Sequence, residues 1–442
     1  LSLNQTILGS FMSSFQEHTS SWYAASRNLH QTWPKLEGRH DTQICIMGGG
    51  YTGINTAIEL AERGFKVILL EANRIGWGAS GRNGGELIRG IGHNLDQFTN
   101  RIGQEGVLAL KKMGFEALEI VKTRISQYQI DCDLHLGYAD LATHHRHLPD
   151  LDSELEELTQ LGYPHPVKRL NAQELKSEVV NSDVYKGALL DEGSGHLHPL
   201  NLLLGEALIA EQLGVQMYEQ SEVLRIEKGE RPTVITSEGV VTCDQLILGA
   251  NAYLNPELDH WLGGKILPAG SYLIATEPLD PALCESLMPK RRAVADMRTA
   301  LDYYRISADH RLIFGGLCTY TGKDPKNIAD ALKPNIQTVF PHLKPLKIAY
   351  QWGGMIGIGA NRLPQIGQLP DCSSIFYAQA YAGHGVNATH LAAKLLAEKI
   401  SGQSERFDWF AQVPHMTFPG GRRFRAPLLA AGMLWHKLKD AF

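Results

Sequence analysis

Hydrophobic and polar positions along the chain follow two rhythms, and the first change of rhythm is the most informative. Residues 43–47 form a short apolar run with a β-branched bias, the pattern of a buried parallel strand. Ile54, Ala57, Ile58 and Ala61 then recur at i, i+3, i+4 and i+7, which predicts one face of a helix stopping at Gly64. Residues 66–70 read as a second strand that ends on Glu71. Val107, Leu108, Leu110, Met113 and Leu118 return to helical spacing, so 95–161 reads as two or three amphipathic helices. Residues 187–198 read as a polar turn into a helix from about Pro199 to Gly214. A strand pair is expected over 221–227 and 233–237, and an apolar strand in 244–253.

Residues 265–321 alternate as strands, clearest at 271–275, 302–306 and 311–316. Tyr304 there points away from the face shared by Tyr303 and Arg305. A strand over 375–378 and a long helix with Leu391, Ala392, Leu395 and Leu396 inward close the pattern. At the ends, 1–11 reads as an uncharged leader ahead of Met12, outside the fold. Residues 12–41 read as an irregular arm, and 403–442 as a tail of interleaved arginines and aromatics that packs on the body.

Composition narrows the function classes. A chain of 442 residues exceeds one ordinary core, so two domains are expected. A net charge of −5 leaves no basic footprint for nucleic acid. No apolar run reaches the ~18 residues of a membrane span, so no stable membrane insertion is expected. The six cysteines are scattered without a C-x-x-C pair, which suggests reduced thiols and a cytoplasmic protein. His144, His145 and His147 sit in a polar stretch with no carboxylate at ligand spacing, so no metal site is expected.

The chemistry gathers where the first strand gives way to the first helix. Gly48, Gly50 and Gly53 have G-x-G-x-x-G spacing, with Tyr51 and Thr52 at the helix start. The first glycine permits the tight turn, the second admits a pyrophosphate to the backbone, and the third lets the helix lie close to the sheet. Free N–H groups at that helix start then favour phosphate, and Glu71 stands where an acid accepts from an adenosine ribose. Residues 72–85 follow with five glycines, so Ala72, Ser80, Arg82, Asn83, Gly84 and Gly85 are expected beside the same ligand. An NAD(P)-dependent dehydrogenase and a flavoprotein with no turnover of its own both remain open on these residues alone.

Together the glycine unit, Glu71 and the loop over 72–85 resemble the FAD-dependent amine and amino-acid oxidases of the D-amino-acid oxidase, glycine oxidase and sarcosine oxidase superfamily. The likeness runs from the arm at 17–26 to FPGGRRFR at 418–425 and is nearest to a branch acting on γ-glutamylated putrescine, an enzyme of polyamine catabolism. It implies an α/β fold: a Rossmann-type FAD-binding domain and a second, α+β substrate domain on a large antiparallel sheet. The expected segments are 42–95, 180–255 and 350–402 for the first and 96–179 and 256–349 for the second.

The resemblance further implies backbone contacts from Val223 to adenine, and passage of Gly249, Ala250 and Asn251 under the FAD phosphates. It aims the helix start at Gly383, His384, Gly385 and Val386 at the N1–C2=O edge of the flavin, with His384 as the candidate catalytic residue. Aligning Trp352 and Gly354 with the family's W-x-G-x-R pattern puts Ile356 where amino-acid oxidases carry a carboxylate-clamping arginine, so an amine is favoured over an α-amino acid. Gly353 and Gly354 stand where relatives with covalent flavin carry cysteine, implying non-covalent FAD. Ile313 replaces the sarcosine-oxidase lysine linked to oxygen reactivity, although dioxygen remains the expected acceptor. Arg305 is the candidate for a distal substrate carboxylate, with Tyr304 and Trp352 as walls.

Overall fold

The computed structural model describes residues 15–319, 325–343 and 346–418. The expected leader over 1–11 and the expected tail beyond 418 lie outside the described residues.

Two sheets organise the chain. In the first, Gln365–Leu369, Cys372–Gln379, Gly239–Leu248, Gly38–Met47, Val67–Leu70 and Gln216–Tyr218 lie side by side in that order. Gly38–Met47 is central and pairs in parallel with Gly239–Leu248 and Val67–Leu70, which places the ends of all three strands together at Met47, Leu248 and Leu70. Val67–Leu70 is buried at every position, as expected of a parallel strand covered on both faces. Arg225–Glu227 and Thr233–Ile235 form the anticipated pair on the flank of Gly239–Leu248.

Helices Tyr51–Glu62 and Gly385–Ile400 pack against this sheet, their apolar residues merging into one core with Pro199–Gln212 and Thr99–Tyr128. A polar network runs through that core. Glu206 accepts from Asn55 Nδ2 at 3.0 Å and lies 2.6 Å from His390 Nε2, while Arg124 donates to Asn55 Oδ1 and Glu59 Oε1 at 2.6 Å each. Four helices are thus joined by buried groups whose partners are all protein.

The second sheet orders Ile348–Ile358, Leu267–Thr276, Leu312–Thr319, Tyr303–Ile306, Ala293–Asp296, His135–Ala142, Gly187–His196 and Glu86–Leu87, with Val167–Asn171 also paired to Gly187–His196. It is antiparallel except where Ala293–Asp296 meets His135–Ala142. All of its strands are inserted in the chain between Val67–Leu70 and Gln365–Leu369 of the first sheet.

Several expectations change here. Residues 187–196 are a strand, not a polar turn. Their small residues serve close strand packing: a Cβ at Gly195 would lie 2.2 Å from the His135 carbonyl oxygen. His135–Ala142 is a strand between the helices expected over 95–161. Leu108 is 41% exposed on Thr99–Tyr128, although its neighbours Val107 and Leu110 are buried. The expected divisions near 180 and 350 therefore cut across the second sheet, which takes both Gly187–His196 and Ile348–Ile358. The arm also gains form, because Ser21 caps a short helix Trp22–Ser26 and the chain enters the central strand already at Gly38.

Candidate active site

The three glycines after the central strand each meet a different constraint. Gly48 has φ +113° and donates its N–H to Leu70 O at 2.8 Å, joining the tips of two parallel strands. A Cβ at Gly53 would lie 1.9 Å from Gly48 O, so only a bare Cα lets the helix sit on the turn. Gly50 caps Tyr51–Glu62 with no side-chain hydrogen bond, and a Cβ there would lie 2.9 Å from Ser80 Oγ.

Glu71 ends the neighbouring strand. Its carboxylate accepts from Gly49 N at 2.7 Å and Asn73 N at 2.8 Å, while burial pushes its pKa up. The loop over 72–85 is held by its own side chains. Ser80 Oγ accepts from Tyr51 N, Asn83 Nδ2 donates to Ala79 O and Ser80 O, and Arg82 Nε donates to Trp77 O. These residues therefore shape the loop rather than offering all their donors to a ligand.

A cavity of about 1210 Å³ opens above these elements. It exceeds the ~300–1,000 Å³ of ordinary small-molecule sites, leaving room for a dinucleotide and a substrate together. Gly48, Gly50, Tyr51, Thr52, Glu71, Ala72, Ser80, Arg82, Asn83 and Gly84 line it. From the returning strand and the last long helix come Val223, Gly249, Ala250, Asn251, Gly383, His384, Gly385 and Val386. Asn251 Oδ1 accepts from Ala380 N at 2.9 Å and Thr52 Oγ1 meets Tyr381 Oη at 2.8 Å, so the first and last segments of this wall are bonded together. His384 occupies the N-cap position of Gly385–Ile400 without a side-chain hydrogen bond to it, and meets His93 edge-on at 4.7 Å. Burial holds its imidazole neutral, down to about 3, and holds His93 down to about 4. Near neutral pH His384 thus presents an uncharged ring beside a free helix start.

Five expected site residues do not reach the cavity. Gly53 and Gly85 lie beneath it. At Gly85, with φ +87°, a Cβ would approach Leu197 O to 2.3 Å. Tyr304 faces the opposite side of its strand, stacked on Phe314 at 5.0 Å and donating to Tyr185 Oη at 2.8 Å in a separate core. Arg305 is fully buried. Its Nε donates to Gly84 O at 2.8 Å, Nη2 to Leu197 O at 2.9 Å and Tyr23 Oη at 3.1 Å, and Nη1 approaches His196 Nδ1 at 3.4 Å. It braces the glycine loop from below and is not a substrate clamp. Trp352 donates from Nε1 to Arg82 O at 3.0 Å and meets the Tyr23 ring edge-on at 5.2 Å, so it too supports the loop. His196 and His198 are buried away from the cavity.

The wall contains residues that the sequence reading passed over. Tyr303, Glu86, His93, Arg89 and Arg362 all line it. Arg89 is buried among carboxylates, at 3.1 Å from both Asp191 and Asp140 and paired also with Glu154. Burial pushes Asp140 up to about 6 despite that cation. Glu86 had a visible signal, as the acid directly after the glycine run. Tyr303 had one too, as the residue one alternation from Arg305.

A family model described as FAD dependent oxidoreductase (DAO) matches residues 43–399. The chain belongs to the DAO family of FAD-dependent oxidoreductases. It is 42% identical over 424 residues to gamma-glutamylputrescine oxidoreductase of Escherichia coli K12, covering 96% of this chain and 99% of that protein. It is 38% identical to a probable oxidoreductase, OrdL, of Haemophilus influenzae, covering 97% and 99%. Among solved structures, glycine oxidase from Geobacillus kaustophilus superposes with a TM-score of 0.72 at 20% identity, over 85% of this chain and all of that one. L-proline dehydrogenase from P. horikoshii gives 0.70 at 21% identity, over 85% and 97%. The family thus makes the protein an FAD-dependent enzyme with a parallel FAD-binding sheet and a largely antiparallel second sheet. The local structure fits that cofactor: a bare-backbone turn at Gly48 and Gly50, a helix start whose N-cap residue Gly50 has no side chain, and an acid at the tip of the second strand.

Proposed function

We propose that the protein oxidises the carbon–nitrogen bond of an amine, with γ-glutamylputrescine or a close analogue as substrate. The products are an aldehyde and ammonia or an amine, and dioxygen serves as acceptor, giving hydrogen peroxide. Bound FAD supplies the hydride-accepting group. The chain orients it, excludes water and positions the amine.

One observation carries the reading: the strand Ile348–Ile358 lines the cavity with Gly354, Ile356 and Ile358 and brings no cation to it, and Ile356 is the position at which the resemblance puts an amino-acid oxidase's clamping arginine. The cavity as a whole carries nine acidic side chains against four basic ones, a field that favours a cationic amine. The likeness to gamma-glutamylputrescine oxidoreductase supports the same substrate class.

With Arg305 committed to the loop, Arg362 takes its role. It lines the cavity near His93 and His384, and its guanidinium has no partner among the described residues. It is our candidate for the carboxylate of the γ-glutamyl group. The glycines at 353 and 354 favour non-covalent FAD, to be read as flavin released into the supernatant on acid precipitation.

Anaerobic mixing tests the function. γ-Glutamylputrescine should bleach the flavin faster than putrescine, and glycine should leave it oxidised. Faster bleaching by glycine would overturn the amine reading.

A further inference from the structure

Most carboxylates on the cavity wall already have partners. Asp140 and Glu154 face Arg89, Asp96 and Glu157 face Lys111, and Asp296 faces Arg298. Glu71 accepts backbone N–H groups. Glu86 differs. It stands on the two-residue strand Glu86–Leu87, opposite His196, and lines the cavity while only partly exposed. Among the described residues its side chain forms no ion pair and receives no hydrogen bond from any other residue, so the carboxylate's lone pairs stay largely unfilled. A polar group left so in a protein interior calls for an explanation, and a ligand that donates hydrogen bonds is a direct one.

Its surroundings fix where the carboxylate points. A Cβ built at Gly84 would lie 2.1 Å from Glu86 Oε2 and 2.6 Å from Tyr303 Cε2, so the carboxylate and the phenol ring converge on one spot that only glycine leaves free. The ring is itself fixed: Tyr303 Oη meets Ser271 Oγ at 3.2 Å, and a Cβ at Gly315 would lie 2.2 Å from its Cζ. Gly84, Glu86, Ser271 and Tyr303 all open onto the cavity. The charged and titratable groups facing Glu86 are Arg305, Tyr303, Tyr23 and Tyr138. Burial keeps all three phenols protonated, leaving Arg305 as the neighbouring charge. Arg305 spends its donors on Gly84 O, Leu197 O, Tyr23 and His196, so it steadies a negative charge on Glu86 without hydrogen-bonding to it.

We propose that Glu86 is the receptor for the substrate's ammonium group, holding the cation beside the Tyr303 ring and taking one proton from it. One N–H bond breaks, the proton passes to a Glu86 carboxylate oxygen, and the electron pair stays on nitrogen. The amine is then neutral, the form from which the adjacent carbon can release hydride. Burial raises the Glu86 pKa and so makes this carboxylate a stronger proton acceptor than a solvated one. The assignment rests on the amine reading above and adds to it a named residue at the reacting end.

The test uses the FAD-loaded enzyme with Glu86→Gln and Glu86→Asp. Butylammonium binding is read from the perturbed visible spectrum of the flavin across pH, and γ-glutamylputrescine is used for anaerobic reduction. Wild type should bind butylammonium more tightly as pH rises through the Glu86 titration. Glu86→Gln should keep its flavin and melting temperature, lose about tenfold or more in butylammonium affinity, and lose that pH dependence. Glu86→Asp should recover part of both. A Gln variant that matches wild type in affinity and pH profile, in an enzyme that amines do reduce, overturns the Glu86 assignment alone. A wild type that glycine reduces, and that neither binds butylammonium nor reacts with γ-glutamylputrescine, overturns the amine reading and this assignment with it. If Glu86→Gln fails to hold FAD, the Asp variant decides: an unchanged pH profile and affinity count against the proposal.

Discussion

Gly53→Ala separates two opposing effects at one atom. In a helix interior alanine is favoured over glycine by about 0.8–1.0 kcal/mol, so helix propensity alone predicts a more stable protein. The structure predicts the reverse. The new methyl would sit 1.9 Å from Gly48 O and 3.2 Å from Ile46 Cγ2, and the obstacle is backbone. Restoring an ordinary contact of roughly 3.3 Å needs the helix start or the Gly48 turn to move by about 1.4 Å. Forced overpacking costs about 1–3 kcal/mol, which cancels or exceeds the propensity gain. The larger effect falls on the cofactor, because the N–H groups of the helix start move with the helix. Losing two charge-assisted hydrogen bonds at about 1.5 kcal/mol each weakens FAD binding by ~3 kcal/mol, about a hundredfold in Kd. Titrating apoprotein with FAD by flavin fluorescence gives the affinity, and urea midpoints with and without FAD give the linked stability. A variant that binds FAD within about threefold of wild type and unfolds at higher urea would refute the clash.

Arg305→Ala should cost about 3–5 kcal/mol of stability, since it leaves the Leu197 carbonyl unpaired, removes one of the two donors to Gly84 O and empties a buried side-chain site, and differential scanning calorimetry should show the loss. A stable variant with a selectively raised KM for the γ-glutamylated amine would restore the clamp role to this residue. Arg362→Ala should instead leave folding intact and raise KM for γ-glutamylputrescine but not for putrescine; equal effects on both substrates would rule out recognition of the distal carboxylate. Acid should destabilise the fold through buried neutral histidines. His198 is held at about 3 by burial and accepts from Asn201 N through Nδ1 at 3.1 Å, so the unfolded chain binds the proton first. Its contribution is complete above the unfolded value near 6.5 and falls as pH drops toward about 3, by about 2 kcal/mol at pH 5. His198→Asn, which keeps an accepting cap, should flatten urea stability between pH 7 and 5, and an unchanged slope would count against this account.

The sequence made the nucleotide cradle legible because its constraints are local. Gly48, Gly50 and Gly53 act within five residues of one another, and Glu71 lies one strand away. The second sheet was harder to read. Residues 187–196 carry the glycines and serine of a turn, yet those small side chains are what a strand needs where His135 and His165 press against it. The face parity of 303–305 was readable from alternation. Which face meets the cavity was not, because it depends on a loop 221 residues earlier folding over Arg305. Arg305 and Trp352 look like ligand-binding types, and only long-range contacts reveal that they serve the loop. Glu86 is the converse case: an unremarked acid whose missing partners appear only in three dimensions.

The short helix Trp22–Ser26 has a consequence for how the enzyme is made. Tyr23 donates to Gly84 O, accepts from Arg305 and leans on Trp352, while Trp22 donates to Asp309 Oδ2 at 3.2 Å. A ribosome adding about 5–20 residues per second completes Tyr23 roughly 15–65 s before Trp352 exists to receive it. Tyr23 therefore waits without its Trp352 contact through most of translation, and the parallel sheet waits longer still for Cys372–Gln379. Loading with flavin is consequently a late event in the life of the nascent chain, and mutants or tags that disturb the segment around Trp22 should reveal themselves first as colourless protein rather than as slow catalysts.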